Sequence, residues 1–132
     1  MKYILDTDTM IYFLKGQKSV VERMAALTSD ELATTIINHT ELLFGAFNSA
    51  KKQDNLKKIE AFLEHIQILP FCAQASFIFA EQKAKLKQQG NMIADMDLMI
   101  ASITVKNNSI LVTNNTRHFD RINKLQLENW YQ

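Results

Sequence analysis

At 132 residues, 47% of them hydrophobic, the chain is sized for one domain with a real core and leaves no length for a second folded unit. A formal charge of +1, from 15 basic and 14 acidic residues, sets up no field that would by itself mark a binder of nucleic acid or anionic membrane. The lone Cys72 excludes an intrachain disulfide, no Cys or His pair has zinc-site spacing, and the three glycines form neither a P-loop nor a dinucleotide fingerprint.

Tyr3-Ile4-Leu5-Asp6 predicts a short buried strand, after which Thr7 or Asp8 caps a helix through Met10-Ile11-Tyr12-Phe13-Leu14 that stops at Gly16. Val20, Val21, Met24 and Leu27 recur at helical spacing from Ser19 to Leu27, and the Thr- and Ile-rich Leu32 to Ile37 predicts the second strand. Glu41 opens a helical run to Phe47, and Leu56, Ile59, Leu63 and Ile66 stripe the next helix. Ile66 to Leu69 alternates into a third strand closed by Pro70. A long helix from Ala73 to Gln89 ends at Gly90, and another runs from Asp97 to Lys106. Ile110 to Thr113 is a strand, and Leu125 to Glu128 a short edge strand. This alternation predicts an α/β fold: a single domain over residues 1–132, with a mostly parallel sheet of about five strands and helices on both faces.

No apolar run approaches the ~18 to 20 residues of a membrane span, and an acid interrupts the amino terminus before any signal-peptide core, so a soluble protein of the reducing cytoplasm is expected. The lysine groups Lys51-Lys52, Lys57-Lys58 and Lys83, Lys85, Lys87 read as solvated helix faces, with local RNA contacts as the other use. Phe44, Phe47, Phe77 and Phe79 read mostly as core, with some of them left for partner binding, and Cys72 reads as a small buried hydrophobe.

Three carboxylates stand where apolar segments give way to loop or helix: Asp6, Glu41 and Asp97. Open α/β sheets place ligands at strand carboxyl ends, so acids far apart in sequence can converge there. Converging carboxylates repel unless a cation lies between them, and an all-oxygen donor set suits Mg²⁺ or Mn²⁺. Such an ion polarises a phosphoryl oxygen and activates water, which points to phosphodiester hydrolysis. Singly, each acid also has a structural reading: Asp6 or Asp97 as a helix cap, Glu41 as a first-turn acid favoured by the macrodipole.

Asp95 is either an outer member of the acidic pocket or a solvated loop acid, because on one helix it would point about 200° from Asp97. Thr113 and Asn115 are candidates to orient water or phosphate, with turn formation the alternative for Asn115. His39 and His118 read as packing or surface residues before catalytic ones. Asp6-Thr7-Asp8-Thr9 after a strand also fits the start of a haloacid-dehalogenase-like phosphatase, but Asp95 and Asp97 then precede Thr113 in the wrong order.

Taken in order, these segments resemble the PIN-domain ribonucleases, and among them the VapC-type toxins of bacterial toxin-antitoxin modules. Leu5-Asp6-Thr7-Asp8 resembles the family's opening L-D-T-N, and Thr40-Glu41-Leu42-Leu43-Phe44-Gly45-Ala46 its A-E-L-x-x-G-A. Gly90 through Ala101 resembles G-x-x-I-x-x-x-D-L-x-I-A, Leu111 through Phe119 resembles L-V-T-N-N-T-R-E-F, and Leu127-Glu128-Asn129-Trp130 resembles L-E-D-W. The resemblance implies a Mg²⁺-dependent endoribonuclease that cuts structured RNA, often tRNA, with Asp6, Glu41 and Asp97 as metal-binding and catalytic residues. It also implies a cognate antitoxin whose tail covers the acidic pocket, and a homodimer. Two positions depart from the pattern: Asp8 where relatives carry Asn, and His118 where they often carry a further acid. Asp8, Asp95 or Asn115 is then left to substitute for that acid. The non-enzymatic alternative is an RNA- or protein-binding module whose acids hold a structural metal.

Overall fold

The computed structural model describes residues 2–132. Five strands form one parallel sheet, β1 (Tyr3–Leu5), β2 (Leu32–Thr35), β3 (Gln67–Leu69), β4 (Ile110–Val112) and β5 (Gln126–Glu128), in the order β3-β2-β1-β4-β5. β1 is central, with Ile4 opposite Ala33 on one side and Leu111 on the other. The chain fills β2 and β3 on one flank, then crosses to β4 and β5, so the strand order reverses at β1. A crevice opens at that point, beyond the carboxyl ends of β1, β2 and β4.

The helices are α1 (Thr7–Leu14), α2 (Lys18–Ala25), α3 (Ile36–Phe47), α4 (Lys52–Leu63), α5 (Ala73–Gln88), α6 (Asp95–Lys106) and α7 (Thr116–Phe119). Both sheet faces are covered, and the period-2 alternation of each strand assigns its side chains to one face or the other. Ile4, Ala33 and Leu111 pack with Leu86, Ile100 and Ile103 of α5 and α6. Leu5, Leu32 and Val112 point the opposite way, onto Met10, Val20, Leu42 and Ile59 of α1 to α4. The predicted parallel sheet between two helical layers is therefore the observed one. Among the described residues, no helix is long and apolar enough to cross a membrane.

Several boundaries differ from the sequence reading. Ile36 and Ile37 are the first turn of α3 rather than the end of β2, because the Thr35 hydroxyl accepts from the Asn38 N–H at 3.1 Å and starts the helix. Glu41 consequently lies in the second turn of α3 and not at its start. Asp6 is the N-cap of α1, as its structural reading allowed, and Thr7 and Asp8 lie within the helix. α6 begins at Asp95, two residues early, so Asp97 is a first-turn residue behind the cap Ala94. α7 is a short helix to which the sequence reading assigned no element, and Ile66 falls outside α4. Gly16 and Gly90 end α1 and α5 as expected, at φ of +78° and +65°, where a Cβ would be strained.

The aromatic reading is corrected as well. Phe44, Phe47 and Phe77 are 68%, 60% and 71% exposed, whereas only Phe79 joins the edge of the core, against Phe71. Helical position decides this: Leu42 and Ala46 take the core-facing side of α3 and leave Phe44 and Phe47 on the opposite one. Cys72 is half-buried and precedes α5 at its N-cap.

Candidate active site

Asp6 enters from the end of β1, where its backbone N–H donates to the Val112 carbonyl at 2.9 Å and so continues the β1–β4 ladder. The side chain is nearly buried, at 8% exposure, and every contact it makes is to a neutral donor. Oδ1 accepts from the Thr7 N–H at 3.0 Å and the Asn38 amide at 2.8 Å; Oδ2 accepts from the Thr113 hydroxyl at 2.8 Å. Burial, and next the charge of Asp8, push the Asp6 carboxyl up to about 6, against the pull of these three hydrogen bonds.

Asp8 lies in the first turn of α1 and faces the same loop. Its Oδ2 accepts from the Asn114 N–H at 3.0 Å and lies 3.3 Å from the Thr113 hydroxyl. Thr113 has one hydroxyl proton and two carboxylates within reach, so it bridges Asp6 and Asp8 but can satisfy one of them fully at a time. The Asn115 N–H donates to the Thr113 oxygen at 3.0 Å, a turn contact that fixes the hydroxyl; the Asn115 side chain itself is exposed.

Glu41 reaches the cluster from α3 and accepts from the Thr7 hydroxyl at 2.7 Å. The residue that joins these parts is Asn38, three positions before Glu41 and on the same face of α3. Asn38 is fully buried. Its amide nitrogen stands 2.8 Å from Asp6, 2.9 Å from Thr7 and 3.5 Å from Glu41, while its oxygen accepts from Thr35 at 2.7 Å. The sequence reading passed over Asn38 and weighed its neighbour His39, which is half-buried and makes no part of this network. The available signal was an amide on the core-facing stripe of an otherwise apolar helix, since buried amides require partners.

Asp97 and Asp95 behave differently. Asp97, half-buried in the first turn of α6, has Oδ2 2.8 Å from Nε2 of His118 on α7. Asp95 turns outward, 59% exposed, to an ion pair with Lys83 of α5 at 3.0 Å. The two acids thus diverge around one helix, as the 200° spacing requires. The structure gathers Asp6, Asp8, Glu41, Thr113 and the newly found Asn38 into one hydrogen-bonded cluster. Asp97 joins through His118 and its loop, and Asp95 does not join.

Among the described residues, no lysine or arginine forms an ion pair with Asp6, Asp8 or Glu41, and no three His, Cys, Asp or Glu side chains stand at ligating distance from a common point. The donor chemistry nevertheless fits a hard divalent cation, because the acids are carboxylate oxygens held by neutral groups. Burial, and next the Asp8 charge, raise the Asp6 carboxyl, and a cation beside Asp6 would offset both. Beside the cluster, a cleft of about 350 Å³ runs between α1, α3 and α4; Ile11, Leu14, Leu42 and Ile59 line it and Glu41 stands at its edge.

Comparison with known proteins agrees with this architecture. The chain is 37% identical to ribonuclease VapC2 of Rickettsia felis over 132 residues, 98% of each chain. It is 32% identical to the tRNA(fMet)-specific endonuclease VapC of Shigella flexneri over 130 residues, again 98% of each. The crystal structure of DNA-bound VapBC from Salmonella typhimurium contains a chain that superposes with a TM-score of 0.92 at 31% identity, covering 98% of both chains. Residues 3–125 match the PIN domain, and the chain belongs to the PIN-domain family, not to the phosphatases that share its Asp-x-Asp start.

Proposed function

We propose that this protein is a Mg²⁺-dependent endoribonuclease toxin of a toxin-antitoxin module, with Mn²⁺ as the substitute metal, hydrolysing phosphodiester bonds in structured RNA of the cytoplasm. The observation that carries the reading is the set of carboxylates, Asp6, Asp8 and Glu41, bridged by Thr7, Asn38 and Thr113 at the carboxyl edge of the sheet. Asp6, Glu41 and Asp97 would hold the ion, with Asp8 beside them; when bound it supplies Lewis acidity to the phosphoryl oxygen and a lowered pKa to water. Asn38 and Thr113 fix the two Asp6 oxygens, so this carboxylate is oriented before substrate arrives. Thr7 does the same for Glu41. Thr113 also holds Asp8 near Asp6, which concentrates negative charge where a cation is needed.

The substrate proposed is tRNA, in keeping with the Shigella flexneri relative's tRNA(fMet) specificity. Loops of structured RNA suit an open crevice, because unstacked nucleotides can be splayed and the scissile phosphate brought in line. The partner proposed is an antitoxin, as in the VapBC complexes of relatives, with an apolar segment in the cleft between α1, α3 and α4 that ends at Glu41. The exposed Phe44, Phe47 and Phe77 support a further covered face, that of a homodimer.

The test incubates purified, antitoxin-free protein with total bacterial RNA in Mg²⁺ or in EDTA, beside Asp97→Asn, and maps new 5′ ends. Discrete cuts that require both metal and Asp97 are expected. Equal cutting by Asp97→Asn would remove that residue from the site, and no cutting by metal-loaded protein would favour a non-catalytic binding module.

A further inference from the structure

We propose that His118 is a positioning residue that holds the Asp97 carboxylate in the active site; the proposal rests on the metal-dependent nuclease reading above. Nε2 of His118 stands 2.8 Å from Oδ2 of Asp97. An ionised carboxylate only accepts, so Nε2 carries the proton and donates. The bond occupies Oδ2 and leaves Oδ1 for another partner.

His118 is itself held. Its ring meets Phe119 edge-on, with centroids 5.5 Å apart and planes at 81°, and Phe119 is buried at 1% exposure. Its backbone N–H donates to the Asn115 carbonyl at 3.1 Å. Asn115 donates to the Thr113 hydroxyl at 3.0 Å, and Thr113 to Asp6 at 2.8 Å. A continuous run of bonds therefore joins Asp97 to Asp6 through the β4–α7 loop.

Asp97 needs such a tie more than the other acids do. The N-cap of its helix, Ala94, offers no side-chain hydrogen bond, and the acid projects from the first turn with 31% of its side chain exposed. Asp6 has three donors and Asp8 is gripped by a backbone N–H, so both are already oriented by the sheet edge. Without the imidazole, Asp97 would rotate among its rotamers, and part of its population would leave the geometry that the site requires. An outer partner that fixes a ligating group typically accounts for roughly ten- to a hundredfold in metal affinity or activity.

The experiment compares wild type with His118→Ala, His118→Asn and His118→Gln. The Gln amide nitrogen reaches about as far as Nε2, whereas that of Asn stops short. The readouts are kcat and KM on a cleaved RNA and, independently of activity, the Mg²⁺ concentration that half-saturates the rise in melting temperature. His118→Ala and His118→Asn are expected to lower kcat by roughly ten- to a hundredfold with KM little changed, to raise the half-saturating Mg²⁺ concentration, and to be rescued by His118→Gln. Wild-type kcat and metal midpoints in all three variants would overturn the proposal. A His118→Gln variant as poor as His118→Ala would overturn it too, by assigning the loss to ring packing. Wild-type protein that binds Mg²⁺ but cuts no RNA would sink the nuclease reading alone, with the metal midpoints still deciding on His118.

Discussion

The acidic crevice has two unlike halves. On the β1 side, Asp6 is buried under three neutral donors and tied to β4 through Val112 and to α3 through Asn38, with Asn38 and Thr113 themselves fully buried. On the α6 side, Asp97 and His118 are each about a third exposed and make one side-chain bond between two helix ends. The first half is set by sheet register and cannot shift without disturbing the core. The second depends on how α6 and α7 sit relative to each other. Burial gives Asp6 its precision at the expense of its charge, while exposure leaves Asp97 less fixed.

That contrast fails if the two acids respond alike. Asp6→Asn and Asp97→Asn should both lower cleavage by roughly a thousandfold or more, the largest effect expected of any single change here. Their stabilities should nevertheless diverge. In metal-free protein, Asp6→Asn removes a buried charge whose folded pKa is about 6 against an ordinary 3.8, and so should raise stability at pH 7 by up to about 3 kcal/mol. Asn remains a good N-cap, and the Thr113 hydroxyl can turn its proton toward Asp8 to accept from the new amide. Asp97→Asn should leave stability almost unchanged. Urea denaturation in EDTA reads both, and equal shifts would dissolve the distinction.

The same shift fixes a pH dependence. The folded state of the metal-free protein holds the Asp6 proton more tightly than the unfolded state, so this stability is fully present below about pH 4 and is lost as pH rises through about 6. Wild type in EDTA should therefore lose stability across this window relative to Asp6→Asn, and Mg²⁺ at pH 7 should restore it through linkage. Parallel pH profiles for the two proteins would contradict the assignment.

Smaller effects sharpen the comparison further. Asn38→Ala leaves Asp6, Thr7 and Thr35 without a shared partner and should cost about 1–3 kcal/mol together with a loss of cleavage. Asp95→Asn breaks only a half-exposed pair with Lys83 and should leave stability within about 1 kcal/mol and cleavage unchanged. A large loss of activity there would return Asp95 to the pocket. Phe44→Ser with Phe47→Ser should shift monomer stability by no more than about 0.5 kcal/mol per site while reducing self-association in sedimentation.

Much of the fold was legible because the strands are short apolar runs bounded by turn formers and the helices carry clear stops. Gly16 and Gly90 fall where the pattern put them, and β5 is the edge strand that Leu125 to Glu128 suggested. Boundaries failed where local chemistry overrode propensity. β-branched Ile36 and Ile37 read as strand, yet the cap at Thr35 made them helix. Asp95 and Asp97 were separable by helical geometry once α6 was known to include both. The expected strand-end placement holds for Asp6, but Glu41 arrives from the middle of α3 and Asp97 from the start of α6. Asn38 offered one faint signal, its place on the stripe of Leu42 and Ala46; its importance comes from which carboxylates surround it, and that needs the fold. The exposure of Phe44 and Phe47 follows from the register of α3 against the sheet, which the residue types alone do not reveal.

The edge strand β5 anchors the loop that holds Asp8. The Thr113 N–H donates to the Glu128 carbonyl at 2.9 Å, and the Asn129 amide donates to Asn114, whose own N–H grips Asp8. A nascent chain that has exposed only the residues through 125 already carries every acid of the crevice. It still lacks the strand that secures the β4 loop, so the loop cannot settle around Asp8. The last-made strand thus fastens the loop beside the first acids of the chain, so loss of β5 is expected to loosen the grip on Asp8 while every acid of the crevice is still present.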